Sequence, residues 1–215
     1  MDSNLILDQN NPKYSVIKNI IDNATEAFFN YGIKSVTMDE IASSTGISKR
    51  TLYQLFKDKE ELLLGTIINA QIEMRKFVED ILQQTDNVLE IILRCYKYSV
   101  RQYQKTDKRF FEDLVRYPEA YKMLLRGQQR DTSQTIAFFK KGVEQGLFRE
   151  DINYEIFNDL MREQFNIFLE SNIFAKYAFV EIYETLMFTH FRGISTAKGA
   201  LELENFINEY RNEKF

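Results

Sequence analysis

The chain contains few of the residues that interrupt helices and few of those that carry most catalytic and metal-binding chemistry. Its 215 residues include two prolines, eight glycines, one cysteine and one histidine. The single cysteine, Cys95, excludes an internal disulfide and a thiolate metal cluster, so we expect the reducing cytoplasm. No apolar run reaches the length of a membrane span, and the first residues lack the order of a signal peptide, so we expect no membrane partner.

Catalytic motifs are scarce as well. The chain has no glycine-rich phosphate loop, no HExxH motif and no pair of cysteines, and no nucleophile motif surrounds His190. We therefore expect that the protein is not an enzyme and needs neither a cofactor nor a metal. We expect His190 to be a packed residue.

Hydrophobic periodicity predicts an all-α fold. Apolar residues recur three and four positions apart in the segment before Gly32, as in an amphipathic helix that ends at a glycine. Thr37 and Glu40 have the spacing of a capping box, in which the threonine hydroxyl accepts from a backbone N–H and the glutamate accepts from the threonine backbone. The sequence therefore predicts that a second, short helix begins after Thr37.

Two further helices are predicted before residue 83. Gly46 interrupts the short helix, and Ser48 can cap the next one. Asp58 has the position of a cap for a long helix from residue 59 to about residue 82. The first eighty residues are thus expected to form four helices, of which the middle two are very short.

The two short helices, joined at Gly46, have the pattern of a helix-turn-helix. Between residues 45 and 59 four positive side chains stand against one negative, although the whole chain has a formal net charge of −4. The N-terminal end of a helix also carries positive dipole charge and unpaired N–H groups, which suit phosphate. This basic turn predicts a contact with a nucleic-acid backbone. The alternative is a solvated face on an ordinary helical hairpin.

A dense set of residues at fixed spacing extends this pattern between residues 17 and 64. The set comprises Phe28, Gly32, Thr37, Glu40, Ile41, Ala42, Gly46, Ile47, Ser48, Lys49, Thr51, Leu52, Tyr53, Phe56, Lys57, Lys59, Glu60, Glu61 and Leu62. In these residues the segment resembles the DNA-binding domain of the tetracycline-repressor (TetR) family of transcriptional regulators. The resemblance implies a dimeric, all-helical regulator whose second short helix enters the major groove and whose C-terminal part binds a small molecule that weakens DNA binding.

The resemblance also implies roles for single residues. Phosphate contacts are expected from Thr37, Thr51, Tyr53, Lys57 and Lys59, and base contacts from Lys49, Arg50 and Gln54. With Ser48 these are the expected DNA-binding residues. Arg50 departs from the small residue or proline that is common in the family, and it could bond a guanine through two hydrogen bonds. Leu55 stands where many relatives have a histidine or an aromatic residue, and it cannot donate a hydrogen bond.

The C-terminal part is rich in aromatic residues at helical spacing. Such residues are often plain core, but a ligand cavity in a helical bundle is lined in the same way, with a few polar groups. We therefore expect an apolar or aromatic ligand to contact Tyr96, Ser99, Tyr103, Phe110, Phe111, Tyr117, Phe138 and Phe165. One helix is predicted from Pro118 to about Gln145.

Two late segments carry more apolar residues than one core-facing stripe needs. In the family the helices at these places pair with their symmetry mates, so the resemblance implies a homodimer interface. Simple burial within one chain is the alternative. The expected dimer residues are Phe157, Leu160, Phe168, Tyr183, Leu186 and Met187.

The expected organisation is a disordered arm at residues 1–13, a three-helix helix-turn-helix domain at 14–60 and a helical ligand-binding and dimerisation bundle at 61–215. The expected function is a regulator of transcription that represses by binding a palindromic operator in double-stranded DNA and is released by a small apolar or aromatic ligand. The alternative is the same fold controlled by a protein partner.

Overall fold

The all-α prediction is confirmed. The computed structural model describes residues 12–127, 132–170, 173 and 176–213. This part contains eleven helices and no strand beyond an isolated bridge between Phe148 and Ser195. The helices are α1 (Tyr14–Tyr31), α2 (Met38–Ser44), α3 (Lys49–Leu55), α4 (Lys59–Leu82), α5 (Val88–Tyr103), α6 (Lys108–Leu114), α7 (Pro118–Gly127), α8 (Thr132–Glu144), α9 (Tyr154–Glu170), α10 (Phe179–Ile194) and α11 (Ala197–Glu213).

The chain forms two compact units. The first consists of the described residues up to 76 together with residues 105–128, and the second consists of residues 77–104 and the described residues from 129 onwards. Helices α6 and α7 thus belong with the N-terminal helices, whereas the sequence interpretation assigned them to a C-terminal bundle beginning at residue 61. The predicted arm at residues 1–13 lies almost wholly outside the described residues.

The first unit folds around the face of α1 that periodicity predicted. Ile21 and Phe28 are fully buried, and Gly32 ends α1 with a φ of 80°, a backbone conformation that side chains with a Cβ rarely adopt. Leu52 of α3 and Phe56 after it are also fully buried. The predicted caps are present at the starts of α2, α3 and α4, and α4 runs from residue 59 to 82 as predicted.

The second unit has a core built largely from aromatic rings and aliphatic side chains of α5, α8, α9, α10 and α11. The segment predicted as one helix from Pro118 to about Gln145 is described in two parts, α7 and α8, which belong to different units. Residues 128–131 between them lie outside the described residues. Gly146, with a φ of 69°, follows α8 as the predicted stop.

Candidate nucleic-acid interface

The turn between α2 and α3 is built by local hydrogen bonds. The backbone N–H of Ile47 donates to the carbonyl of Ala42 at 3.0 Å, and the N–H of Gly46 donates to Ser43 at 3.2 Å. Gly46 has a φ of 69°, and a Cβ at this position would meet no atom, so the backbone conformation rather than space requires glycine. This turn directs the buried Leu52 of α3 inward and leaves the other face of α3 in solvent.

Ser48 and Thr51 complete the N-terminus of α3. The Ser48 hydroxyl oxygen accepts from the Thr51 backbone N–H at 3.0 Å, and the two side-chain hydroxyls are 2.8 Å apart. The predicted cap is therefore present. The free N–H groups of this helix end and two hydroxyls lie together at an exposed point, which is the arrangement that a phosphate oxygen needs.

Thr37 caps α2 through the complete predicted box. The Glu40 N–H donates to the Thr37 hydroxyl at 3.2 Å, and the Thr37 N–H donates to a Glu40 carboxylate oxygen at 2.7 Å. The Thr37 backbone hydrogen bond, followed by that of its hydroxyl, lowers the pKa of Glu40. The carboxylate therefore stays charged, and the Thr37 hydroxyl is occupied by the cap.

The two candidate base-contacting cations at the start of α3 differ in their surroundings. Lys49 Nζ lies 2.8 Å from the Asp39 carboxylate, and this hydrogen bond raises the pKa of Lys49. The pair joins α3 to α2, a link that sequence reasoning missed. Arg50 is exposed and makes no ion pair or hydrogen bond with the described residues. Arg50 is therefore the more available of the two for a base.

Three more predicted contact residues lie open to solvent near the end of α3. Tyr53 keeps 45% of its surface exposed, and Gln54 one residue later is also exposed. Lys57 is exposed, and its ammonium group has no partner among the described residues, while its backbone N–H donates to Glu61. These residues have side chains that can reach a duplex without first breaking a contact.

Lys59 behaves differently from the other predicted phosphate contacts. Its Nζ donates to the backbone carbonyls of Ile33 and Val36, both at 2.8 Å, and lies 3.3 Å from that of Lys34. We call these three carbonyl oxygens the carbonyl cage. Because an ammonium group has three donors, the phosphate contact predicted for Lys59 finds no free donor in this geometry.

The predicted ligand residues fall into both units. Phe110, Phe111 and Tyr117 belong to the first unit, where Phe110 packs edge-on against Phe29 with ring centroids 5.0 Å apart. The side chain of Phe165 is not among those described. The remaining residues belong to the second unit and are Tyr96, Ser99, Tyr103 and Phe138. The structure therefore does not gather the set within one compact unit.

Tyr96 is the centre of the aromatic packing in the second unit. Its ring stacks on Tyr183 at 5.5 Å and lies 5.0 Å from Phe188, and only 1% of Tyr96 is exposed. Burial raises the pKa of the Tyr96 hydroxyl well above its ordinary value, so this group stays neutral. Two open surface grooves are formed by described residues, and no predicted ligand residue lines either. The rings around Tyr96 thus pack against one another as core.

The predicted dimer residues separate into core and surface. Leu160 of α9 is 54% exposed, as an interface residue in one isolated protomer should be. Phe157 is instead buried, with its ring edge-on to Phe139 at 5.4 Å, and Tyr183 packs against Tyr96. Burial within one chain, the alternative interpretation, describes Phe157, whereas Tyr183 is half-buried.

The other dimer candidates are intermediate or not described. Leu186 and Met187 of α10 are half-buried, and the side chain of Phe168 is not among those described. The expected set lacked Ile156 and Ile167, which are 57% and 59% exposed on α9. Their spacing of four and seven residues from Leu160 places all three on one helix face, and that spacing could have identified them.

The remaining sequence expectations concern His190 and membranes. The Nδ1 atom of His190 lies 2.8 Å from the Leu186 carbonyl oxygen, and its ring packs beside Phe157, so the expectation of a packed residue is confirmed. Of the helices that the structure describes, none has both the length and the apolar character that crossing a membrane requires.

A capped turn between two short helices, with an exposed basic and polar outer face, defines a helix-turn-helix DNA-binding protein. Residues 20–66 match the family model described as "Bacterial regulatory proteins, tetR family". The match assigns a TetR-type DNA-binding domain to residues 20–66, and with the relatives it supports a TetR-family transcriptional regulator of the DNA-binding repressor class. The predicted resemblance is confirmed, and the family consists of regulators rather than enzymes.

Relatives agree with this assignment. The HTH-type transcriptional regulator YhgD of Bacillus subtilis (strain 168) is 25% identical over 134 residues, which cover 60% of this chain and 68% of YhgD. A transcriptional regulator from Cytophaga hutchinsonii shares the fold with a TM-score of 0.64 at 18% identity, covering 85% of this chain and 100% of that one. A regulator from Saccharomonospora viridis, solved in complex with choline, has a TM-score of 0.64 at 16% identity over 85% of this chain and 98% of its own.

Proposed function

We propose that the protein is a cytoplasmic, homodimeric repressor that places α3 in the major groove of a palindromic operator. The exposed outer face of α3 carries this proposal. Arg50, Tyr53 and Gln54 lie open to solvent on it, and the cap and turn that hold α3 in place are already formed. Ser48 and Thr51 at the start of α3, together with Lys57 after it, frame this face with groups suited to phosphate. The proposed base contacts are thus flanked by the proposed backbone contacts.

Selection of bound duplexes from a random DNA pool tests this function. A twofold dimer should enrich a palindrome whose half-sites are about 10 base pairs apart, centre to centre, or a multiple of that distance. Enrichment of a single unrepeated site would contradict the dimeric arrangement, and the absence of any enriched sequence would contradict specific binding. The enriched palindrome is called the selected operator below.

We also propose that a small apolar or aromatic molecule controls the operator complex. Support for a small-molecule effector comes from the regulator of the same fold from Saccharomonospora viridis, which was solved with the quaternary ammonium compound choline. Support for an apolar or aromatic effector comes from the abundance of rings in the second unit. A ligand can shift DNA affinity only by binding two conformations unequally. Because the rings around Tyr96 are in contact, a ligand that binds among them must favour a conformation in which they separate.

Control by a protein partner is the second candidate, and the filled ring cluster favours it. A gel shift with the selected operator separates the two candidates. Under the ligand proposal, the dialysable fraction of a cell extract should release the protein from the operator, and the extract's protein fraction should not. The reverse pattern would replace the ligand by a protein partner.

A further inference from the structure

The ammonium group of Lys59 is enclosed by unit-one atoms. Besides the carbonyl cage, the ring of Tyr117 lies with its centroid 5.9 Å from Nζ. Burial lowers the pKa of Lys59, and the nearby carboxylates of Asp113 and Glu40 oppose that effect. The side chain of Lys59 is half-buried, and its charged end is held by groups of the protein itself.

The position of Lys59 in α4 favours a contact between its ammonium group and negatively charged atoms outside α4. Lys59 is the first residue of α4, where the positive end of the helix dipole disfavours a cation by a few tenths of a kcal/mol to about 1 kcal/mol. Carbonyl oxygens at the end of α1 and in the following turn supply the compensating negative charge. A lysine on this site thus gains its hydrogen bonds from the 33–36 turn.

The 33–36 turn is the segment that sets the position of α2. Val36, whose carbonyl oxygen accepts from Lys59, directly precedes Thr37, the N-cap of α2. The same turn is held from a second side, because the Lys34 backbone N–H donates to the Asp113 carboxylate of α6 at 2.7 Å. Since the α2–α3 turn is fixed by its own hydrogen bonds, a displacement of the 33–36 turn would carry α3 with it.

Glycine at position 32 shows how closely α6 approaches this turn. A Cβ on Gly32 would lie 2.8 Å from Arg109 Cβ and 3.2 Å from an Asp113 carboxylate oxygen. The Asp107 N–H also donates to the Phe29 carbonyl at 2.7 Å. The end of α1 and the turn after it are therefore fastened to α4 by Lys59 and to α6 by Asp113.

We propose that Lys59 is a positioning residue for DNA binding, which holds the 33–36 turn through the carbonyl cage and so orients α3, and that it makes no phosphate contact. Asp113 assists by holding the same turn through the Lys34 N–H. This inference rests on the proposed contact surface, in which Lys57 is the phosphate-binding cation. The two lysines therefore form a matched pair with opposite roles.

Substitution of each lysine by arginine distinguishes a phosphate-binding lysine from a positioning lysine. A phosphate accepts hydrogen bonds from a guanidinium as readily as from an ammonium group. The cage has three oxygens converging on one nitrogen, and a planar guanidinium cannot direct three donors from one atom. Arginine should therefore replace lysine at position 57 and fail at position 59.

The test measures affinity for the selected operator at several salt concentrations. Lys59→Met should weaken binding roughly tenfold at every salt concentration with an unchanged slope of log affinity against log salt, and Lys59→Arg should show the same loss. Lys57→Met should instead make the slope shallower by about 0.9, and Lys57→Arg should restore it. Circular dichroism and thermal unfolding establish that each variant is folded at the assay temperature.

Three results would overturn the positioning role. These are recovery of wild-type affinity by Lys59→Arg, a slope made shallower by about 0.9 in Lys59→Met, and unchanged affinity of a folded Lys59→Met protein. The last result would leave Lys59 with a contribution to stability alone. An unchanged slope in Lys57→Met would instead contradict the proposed DNA-contact surface, in which Lys57 binds phosphate. Failure of the positioning role and failure of the contact surface therefore give different results.

The wild-type protein provides a measurement that does not depend on the folding of variants. In 15N spectra of lysine ammonium groups, the Lys59 signal should be protected from hydrogen exchange without DNA, and it should stay in place when the selected operator is added. The Lys57 signal should move. A Lys59 signal that exchanges rapidly without DNA, or moves together with that of Lys57, would overturn the proposal.

Discussion

Arg50→Ala is expected to weaken binding to the selected operator by about 1–3 kcal/mol and to relax the preference at one base pair of each half-site. The exposed guanidinium of Arg50 has no competing partner among the described residues, so two hydrogen bonds to a guanine need no prior rupture of a salt bridge. Quantitative gel shifts with the selected operator and with single-base variants of it measure both effects.

Lys49→Ala provides the control for Arg50. Lys49 lies one residue away but is held by Asp39, so its removal should change affinity on operator and unrelated DNA by similar factors. Base contact by Arg50 requires a loss on the operator that clearly exceeds the loss on unrelated DNA. Equal losses on the two would show that Arg50 contacts only the backbone.

Leu160→Glu is expected to disrupt the homodimer and, with it, operator binding. Ile156, Leu160 and Ile167 form an exposed apolar face on α9, and a twofold interface brings the same face of the partner against it. The substitution would bury two unpaired carboxylates, each at a cost of several kcal/mol. We expect the dissociation constant of the dimer to rise by at least about a hundredfold, as measured by sedimentation velocity over a range of concentrations.

Leu201→Glu is the matched control for this change. Leu201 is 65% exposed on α11, also in the second unit, and lies outside the α9 face. The Leu201→Glu substitution should leave both the dissociation constant of the dimer and the operator affinity close to wild type. Dissociation of the Leu201→Glu protein, or a Leu160→Glu protein that remains fully dimeric, would exclude α9 as the centre of the interface.

Local patterns predicted the N-terminal helices well because their determinants lie within a few residues. Thr37 and Glu40, Ser48 and Thr51, and Gly46 with its positive φ each act on a neighbouring backbone. Their spacing therefore specifies both the boundaries of a helix and the turn between two helices. The exposure of Arg50 follows from the same periodicity that buries Leu52 and Phe56.

The role of Lys59 could not be predicted in this way, because its partners precede it by more than twenty residues. The carbonyls of Ile33 and Val36 are ordinary backbone groups, and no side chain marks them as acceptors. The available signal was a cation at the first position of α4, where the dipole is unfavourable. The aspartate that pairs with Lys49, ten residues away, was hidden for the same reason.

Aromatic periodicity likewise could not distinguish a cavity wall from a packed core. The rings of Tyr96 and Phe157 face inward in either case, and only the distances to Tyr183 and Phe139 show that they are in contact. The assignment of α7 and α8 to different units was also beyond local reasoning. Both segments have helical periodicity, and the unit to which each belongs depends on contacts with distant residues.

The attachment of α6 and α7 to the N-terminal helices bears on the construction of chimeric regulators. Joining residues 1–76 of this chain to the ligand-sensing half of another family member would separate Lys34 from Asp113, and the Glu60 carboxylate from the Glu119 N–H that donates to it at 2.8 Å. The graft would also leave Gly32 facing a foreign helix in place of Arg109. A transferable DNA-binding module from this protein is therefore discontinuous in sequence and must carry residues 105–128 with it.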